Sequence, residues 1–520
     1  MKYQNRLHAG LLTAAKPALS LLAAFILLSL TACGGGGGGG GDTANSAPIA
    51  ETLSITTAED TPISMSLGSD PESNPLSYTT SGPANGSLSG TAPNITYTPN
   101  PNFYGKDSFT FTLNDGALDS EQATVTIDVT PVNDLTTFQA ASVVIGQANF
   151  TDNKGGTGPN TSSSSYGNPG VANGILYLPD TSNHRLLGFN SIPTTNNADA
   201  DFALGQTDFT TKSSGTTALK FNRPQTVAFG DGKMFLSDVN NHRILIWNSI
   251  PASDNVAADV VLGQDDFSTG AAGPCGNTGL SEPQAVWSVN GKLILGDSGH
   301  HRVLIWNSIP ETNNVPADIV LGQDSFTNCT ANDDDQKSTA GDISARTFNF
   351  PSGVWSDGTR LVMLDSANHR VLIWNSFPTA NFTPADVVLG QKDFTHNTRN
   401  DEDQDGTPDM VDTDEVASAR TLKDPYYGVY SNGHQLFVAD SGNHRVLIWN
   451  SFPTANFTPA DVVLGQGDFT HNARNDLDQD DTNDGQASAQ TLSFPSGIFQ
   501  SGNQLIITDP TNHRYLIFNE

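Results

Sequence analysis

The chain has 520 residues, of which 55 are Asp or Glu and 24 are Lys or Arg, for a formal net charge of −31. That length calls for more than one domain, and so large an acidic excess disfavours nucleic acid as a partner, because the phosphate backbone would be repelled. A hydrophobic share of 36% argues against wholesale disorder and against a polytopic membrane protein; 49 Gly and 29 Pro favour turns over long helices, and three Cys are too few for a disulfide-built scaffold.

Lys2, Arg6 and Lys16 flank or precede an apolar run from Ala18 to Leu30, and no acid occurs before Asp42. The run is short for a bilayer span and suits a signal-peptide core. It ends Leu30-Thr31-Ala32-Cys33, which resembles the lipobox of bacterial lipoproteins. The resemblance implies removal of residues 1–32 and a diacylglycerol on the Cys33 thiol, hence attachment to a membrane through a lipid anchor. An uncleaved anchor or an ordinary signal peptide is the alternative. Gly34 to Gly41 cannot pack, so residues 33–46 read as a flexible tether. No Asp follows Cys33. By analogy with lipoprotein sorting, the expected address is the cell envelope, with the outer membrane favoured.

Residues 47–134 alternate apolar and polar positions in short runs, among them Ile63-Ser64-Met65-Ser66-Leu67 and Phe109-Thr110-Phe111-Thr112-Leu113. Breaks every 8 to 15 residues predict a small β-sandwich. The pieces Glu59-Asp60-Thr61-Pro62, Tyr97-Thr98-Pro99-Asn100 and Phe103-Tyr104-Gly105-Lys106-Asp107-Ser108-Phe109 resemble the bacterial cadherin-like tandem module. That resemblance implies calcium ligands in the stretch Asp70-Pro71-Glu72-Ser73-Asn74, where Asp70, Glu72 and Asn74 keep oxygens at alternate positions. The Gly and last Asp of the family's stretch are missing, so a solvated acidic turn is the competing reading.

Residues 135–520 repeat. The phrase ending His184-Arg185, His242-Arg243, His301-Arg302, His369-Arg370, His444-Arg445 and His513-Arg514 recurs six times, each preceded by an Asp (Asp180, Asp238, Asp297, Asp365, Asp440, Asp509). A Gly-Gln phrase also occurs six times, from Gln147 to Gln466. Four strands per repeat, here a to d, predict an all-β six-bladed β-propeller, which protects sheet edges by closing a ring. The motif and strand order resemble NHL repeats. The first Gly-Gln strand precedes any strand a, and the last repeat ends after strand c. The N-terminal strand, Val143 to Gln147, is therefore expected to complete blade six.

Repeated Asp, Arg and His read as one structural job done six times. Strand a is read as opening at a Pro in each repeat (Pro169, Pro224, Pro283, Pro351, Pro425, Pro495); these openings carry no His, Asp or Glu, and the departure among them is Tyr426-Tyr427, either a filler of the channel mouth or a stacking surface for a ligand. The blades differ most in three long acidic d–a connections. In the second, Asp401, Asp403, Asp405, Asp409 and Asp412 fall at positions 1, 3, 5, 9 and 12 around Gly406, with the Thr407 carbonyl at 7, spacing that wraps oxygens around Ca2+. Without flanking helices it resembles a thrombospondin type 3 repeat more than an EF-hand. The third loop keeps Asp476, Asp478 and Asp480 but has Asp481 at the Gly position; the first, Asn332 to Asp335, is short of ligands. Cys275 and Cys329 lie in consecutive d–a connections, hence on one face of adjacent blades, and either pair as a disulfide or stay two thiols. These features together predict a lipid-anchored envelope protein whose calcium-stabilised loop face recognises a protein or glycan ligand, as in adhesion. The alternative is a periplasmic or surface lyase or hydrolase, because six-bladed relatives include such enzymes.

Overall fold

Strand c of every repeat is apolar at successive positions, so neither of its faces can meet water. In the computed structural model, which describes residues 44–520 apart from 133, 338, 340, 412 and 413, strand c is buried in all six blades but for the terminal Asn519 of the sixth. Blade 2 shows the pattern: Pro224–Gly230, Lys233–Asp238, Arg243–Trp247 and Val260–Leu262 form one antiparallel four-stranded sheet. Five such sheets follow one another, and the sixth is completed by Val143–Ile145, which pairs antiparallel with Arg514–Asn519 in the register Val143↔Ile517 and Val144↔Leu516. The N-terminal strand thus closes the ring as the strand count requires.

Six hydrophobic clusters fill the six seams between adjacent sheets. The last joins Val143 and Ile145 and Ile506 and Ile517 of blade 6 to Leu176 and Leu187 of blade 1. Outer edges are covered too. In four blades an Asn from the next c–d loop accepts a backbone N–H of strand d, as Asn313 Oδ1 does from Val261 at 3.0 Å and Asn381 from Val320 at 3.0 Å. An otherwise open edge is thereby satisfied.

Alternation at 47–130 gives a sandwich with its own core, including Leu67, Tyr97, Phe109, Phe111, Leu113 and Val125. One sheet orders Leu53–Ala58, Ala123–Thr130, Gly105–Asn114 and Ser77–Thr80, with the first pair parallel; the other holds Ile63–Ser66, Asn94–Pro99 and Gly86–Thr91. The sandwich touches the a–b end of blade 6: Tyr104 donates its hydroxyl to the Gly502 carbonyl at 3.2 Å, and Asn102 donates to the Glu520 carbonyl at 3.3 Å. Antiparallel order puts the b–c turns and d–a connections at the opposite end of the ring. Cys33 and most of the tether lie outside the described residues; among those described, no helix is long and apolar enough to cross a membrane.

Candidate ligand-binding face

Each b–c turn is a three-residue 3-10 turn closed by the repeated His in the left-handed region, φ 51° to 57°. The preceding Asp is buried and paired with the buried Arg two residues past the turn's end, at 2.7–2.8 Å in all six blades. Burial of both charges is tolerated because each guanidinium also donates at least three hydrogen bonds to backbone carbonyls. In blade 4 the Arg370 guanidinium also donates to the carbonyls of Phe394 (2.7 Å), Ser344 (3.0 Å) and Thr347 (2.9 Å), clamping both flanking d–a connections. Asp365 accepts the Asn349 N–H at 2.7 Å.

Each His Nδ1 accepts a backbone N–H from the next blade: Arg223 on His184, Glu282 on His242, Phe350 on His301, Asp424 on His369, Phe494 on His444 and Ser164 on His513, at 2.8–3.2 Å. An accepting Nδ1 is deprotonated, and burial lowers all six imidazoles, His444 to about 4. The repeated residues are staples between blades.

The three long connections share one turn. Asp401, Asp403 and Asp405 bring carboxylate oxygens within 4.8 Å of one another, and so do Asp476, Asp478 and Asp480. Asp401 is buried and accepts the N–H groups of Asp405 (3.1 Å) and Gly406 (2.9 Å); Asp476 accepts those of Asp480 (3.2 Å) and Asp481 (2.8 Å). In both loops a Gln side chain, Gln404 or Gln479, donates to the carbonyl of the first Asp. The Asp405 N–H holds the Asp403 carboxyl down, but desolvation and the charges of Asp405, Asp409 and Asp401 leave it above its usual value; the Asp480 charge pushes Asp478 up. Thr407 donates its N–H and hydroxyl to Asp405, and Asp409 turns to the Glu402 N–H at 2.6 Å instead of joining the group. Asp412 lies outside the described residues.

The first connection folds the same way, which its sequence hid. Asp333 accepts the Lys337 N–H at 3.0 Å and Gln336 donates to the Asp333 carbonyl, so Lys337 occupies the place of Asp405 and Asp480. Its ammonium lies 2.5 Å from Asp335. Reciprocal amide pairs pin all three loops to the next b–c turn: Asn332 with Asn368, Asn400 with Asn443, and Asn475 with Asn512.

Cys275 and Cys329 are joined as a disulfide across blades 3 and 4 of this face, with Cα atoms 6.2 Å apart. In the sandwich, Asp70 Oδ1 accepts the backbone N–H groups of Glu72 (3.0 Å) and Asn74 (2.7 Å), closing an Asx-type turn.

Tyr426 and Tyr427 stand at the channel mouth on this same face. They line a cavity of about 320 Å3 with Tyr166, Gln284, Phe350 and Phe494. Tyr166 was missed in the sequence because Pro169 looked like the start of strand a. The hydrogen bonds show otherwise: the Tyr166 N–H meets Thr181 Oγ1 at 2.8 Å as the Tyr426 N–H meets Ser441 Oγ at 3.1 Å. Reading strand a from its Pro onward also passed over Arg223, Glu282 and Asp424, the residues just before those prolines; Asp424 lies 3.4 Å from His369 Nδ1.

No curated protein matches the chain. Among solved structures, a nucleoside hydrolase-related hypothetical protein from Saccharophagus degradans is similar over 16% of this chain at 19% identity and TM-score 0.15, and the chain spans 26% of its length. Virginiamycin B lyase from Staphylococcus aureus is similar over 70% of this chain and 98% of its own at 9% identity and TM-score 0.35. A luciferin-regenerating enzyme is similar over 72% and 95% at 13% identity and TM-score 0.34. Residues 45–128 match the family model described as a bacterial Ig domain, so the chain joins an Ig-like N-terminal domain to a six-bladed propeller ring.

Proposed function

We infer that this chain is a lipid-anchored envelope protein in which the NHL-type ring, held off the membrane by a cadherin-like spacer, presents a calcium-stabilised loop face to a protein or glycan ligand. The observation that carries the reading is the contrast among three copies of one turn. Where the turn has Lys337, a built-in cation meets Asp335; where it has Asp405 or Asp480, three carboxylates converge with no cation among the described side chains of the group. Like charges this close repel, and a hard cation with oxygen ligands relieves that repulsion. Asp401, Asp403 and Asp405, and likewise Asp476, Asp478 and Asp480, would hold Ca2+, with the Thr407 carbonyl and Asp412 as further oxygens in the first site. Asp70, Glu72 and Asn74 are a weaker candidate, since the Asp70 carboxylate already caps its own turn.

Calorimetric Ca2+ titration of the wild type and of Asp403→Asn/Asp405→Asn tests the metal. Loss of one binding event in the variant supports the reading, and equal binding by both places the ion elsewhere. For the anchor, Cys33→Ser should abolish lipidation and release the chain from membranes; unchanged partitioning would end that part of the reading.

A further inference from the structure

We propose that the channel mouth binds one neutral sugar ring, stacked on the aromatic wall of blades 4, 5, 6 and 1 and hydrogen-bonded by Gln284 of blade 3. This deepens the ligand-binding reading above by naming the ligand class and the place. The wall is continuous: Tyr426 lies 6.1 Å from Phe350, 5.9 Å from Phe494 and 5.6 Å from Tyr427 between ring centroids, and Tyr427 lies 6.2 Å from Tyr166. Opposite stands Gln284, which is only 5% exposed and whose Oε1 has no hydrogen-bond partner among the described residues. Gln225 holds the same place in blade 2, but it does not line the cavity and its side chain hydrogen-bonds Tyr427.

A buried acceptor without a donor costs free energy, so a ligand that brings hydroxyl donors gains at Gln284 what a bare apolar ring would lose. An apolar C–H face suits the aromatic side. A ligand with both, and with no charge, is a pyranose. The six lining residues carry no ionised side chain; the Arg223 guanidinium stands at the edge of the wall, over the Tyr166 ring at 6.0 Å from its centroid. At about 320 Å3 the cavity sits at the small end of small-molecule sites, roughly 300–1,000 Å3, the scale of a single ring.

The experiment is saturation-transfer and titration NMR of the full chain with methyl glycosides of glucose, galactose, mannose and N-acetylglucosamine, with p-cresol as a planar aromatic control. At least one glycoside should bind the wild type. Tyr426→Ala and Gln284→Leu should each weaken it about tenfold or more, while Tyr426→Phe, which keeps the ring, should bind within about threefold of wild type. Melting curves identify any variant that fails to fold, and Gln284→Leu then stands as the independent probe. Absence of glycoside binding by the wild type, binding of p-cresol alone, or equal binding by folded Gln284→Leu overturns the proposal. Repeating the titration in EDTA separates the two readings. Glycoside binding that survives calcium removal upholds the mouth even if the calcium sites fail. A ligand that needs Ca2+ and ignores both mouth variants upholds the loop face and overturns the mouth.

Discussion

The b–c turns and the long d–a connections share one end of the ring and are both rich in Asp, yet they treat charge in opposite ways. In the six turns each buried carboxylate meets its guanidinium, each guanidinium reaches backbone carbonyls, and each imidazole accepts an N–H from the next blade. In two of the three connections the carboxylates meet one another instead. The difference teaches where to look for function in a repeat protein. A group that recurs with its partner is spent on holding blades together. A group that departs from the repeat, or gathers against its own kind, is left to meet something outside the chain.

The contrast can be broken at five points. Deleting residues 140–148 removes the closing strand and its buried Val143, Val144 and Ile145, at about 1.5–3 kcal/mol for each side chain. Calorimetry should show a melting temperature lowered by more than in any single substitution; an unchanged melt would refute the closure. Next, Arg370→Met strands a buried Asp365 and should cost about 3–5 kcal/mol in denaturant unfolding. Asp403→Asn in the exposed loop, without Ca2+, should stay within about 0.5 kcal/mol of wild type. If the two cost the same, the division between spent and unspent charge is wrong.

Calcium should then stabilise the wild type by about 2.7 kcal/mol at a hundredfold excess over Kd. Lys337→Asp, by completing the third triad, should raise the calorimetric stoichiometry by one; no added binding would show that the turn alone does not make a site. The smallest effect belongs to the staples. His444→Asn keeps a residue tolerant of the left-handed backbone but loses the acceptor for Phe494, at about 1 kcal/mol. His444 is lowered from 6.5 to about 4 by burial, so its contribution is full above pH 6.5 and is lost as pH falls toward 4. The gap in melting temperature between wild type and variant should therefore close over that window. A gap that widens on acidification would mean the ring is charged when folded.

The ring was legible because repetition averages out local ambiguity. Six copies of Asp and His-Arg mark six turns, and a strand count with one end short and the other long leaves one way to close. The site was legible only where spacing sets direction. Asp401, Asp403 and Asp405 converge because alternate residues of a tight turn share a side, but Asp409 follows the chain's return and caps Glu402 instead. The relation of the first loop to its sisters was hidden by Lys337, which breaks an oxygen pattern while keeping the turn. Tyr166 was hidden by a proline. A count back from the turn would have found it: the N–H that caps Asp180 lies 17 residues upstream at Ser163, as that capping Asp440 lies 17 upstream at Lys423, and three residues on stand Tyr166 and Tyr426.

The closing strand also decides how the molecule bears load. Val143–Ile145 enters the ring from the end that the sandwich touches and runs toward the mouth, antiparallel to Arg514–Asn519. Tension between a ligand held at the mouth and the chain N-terminal to residue 143 pulls this strand along its own axis. Its ladder is loaded in shear, with the bonds sharing the force together, rather than peeled one at a time. Upstream, the Phe138 N–H meets the Val463 carbonyl at 3.0 Å and the Ala141 N–H the Ala489 carbonyl at 2.8 Å, and these bonds take up the pull before the Ser142 N–H and hydroxyl, 2.8 Å and 2.9 Å from the Ile517 carbonyl.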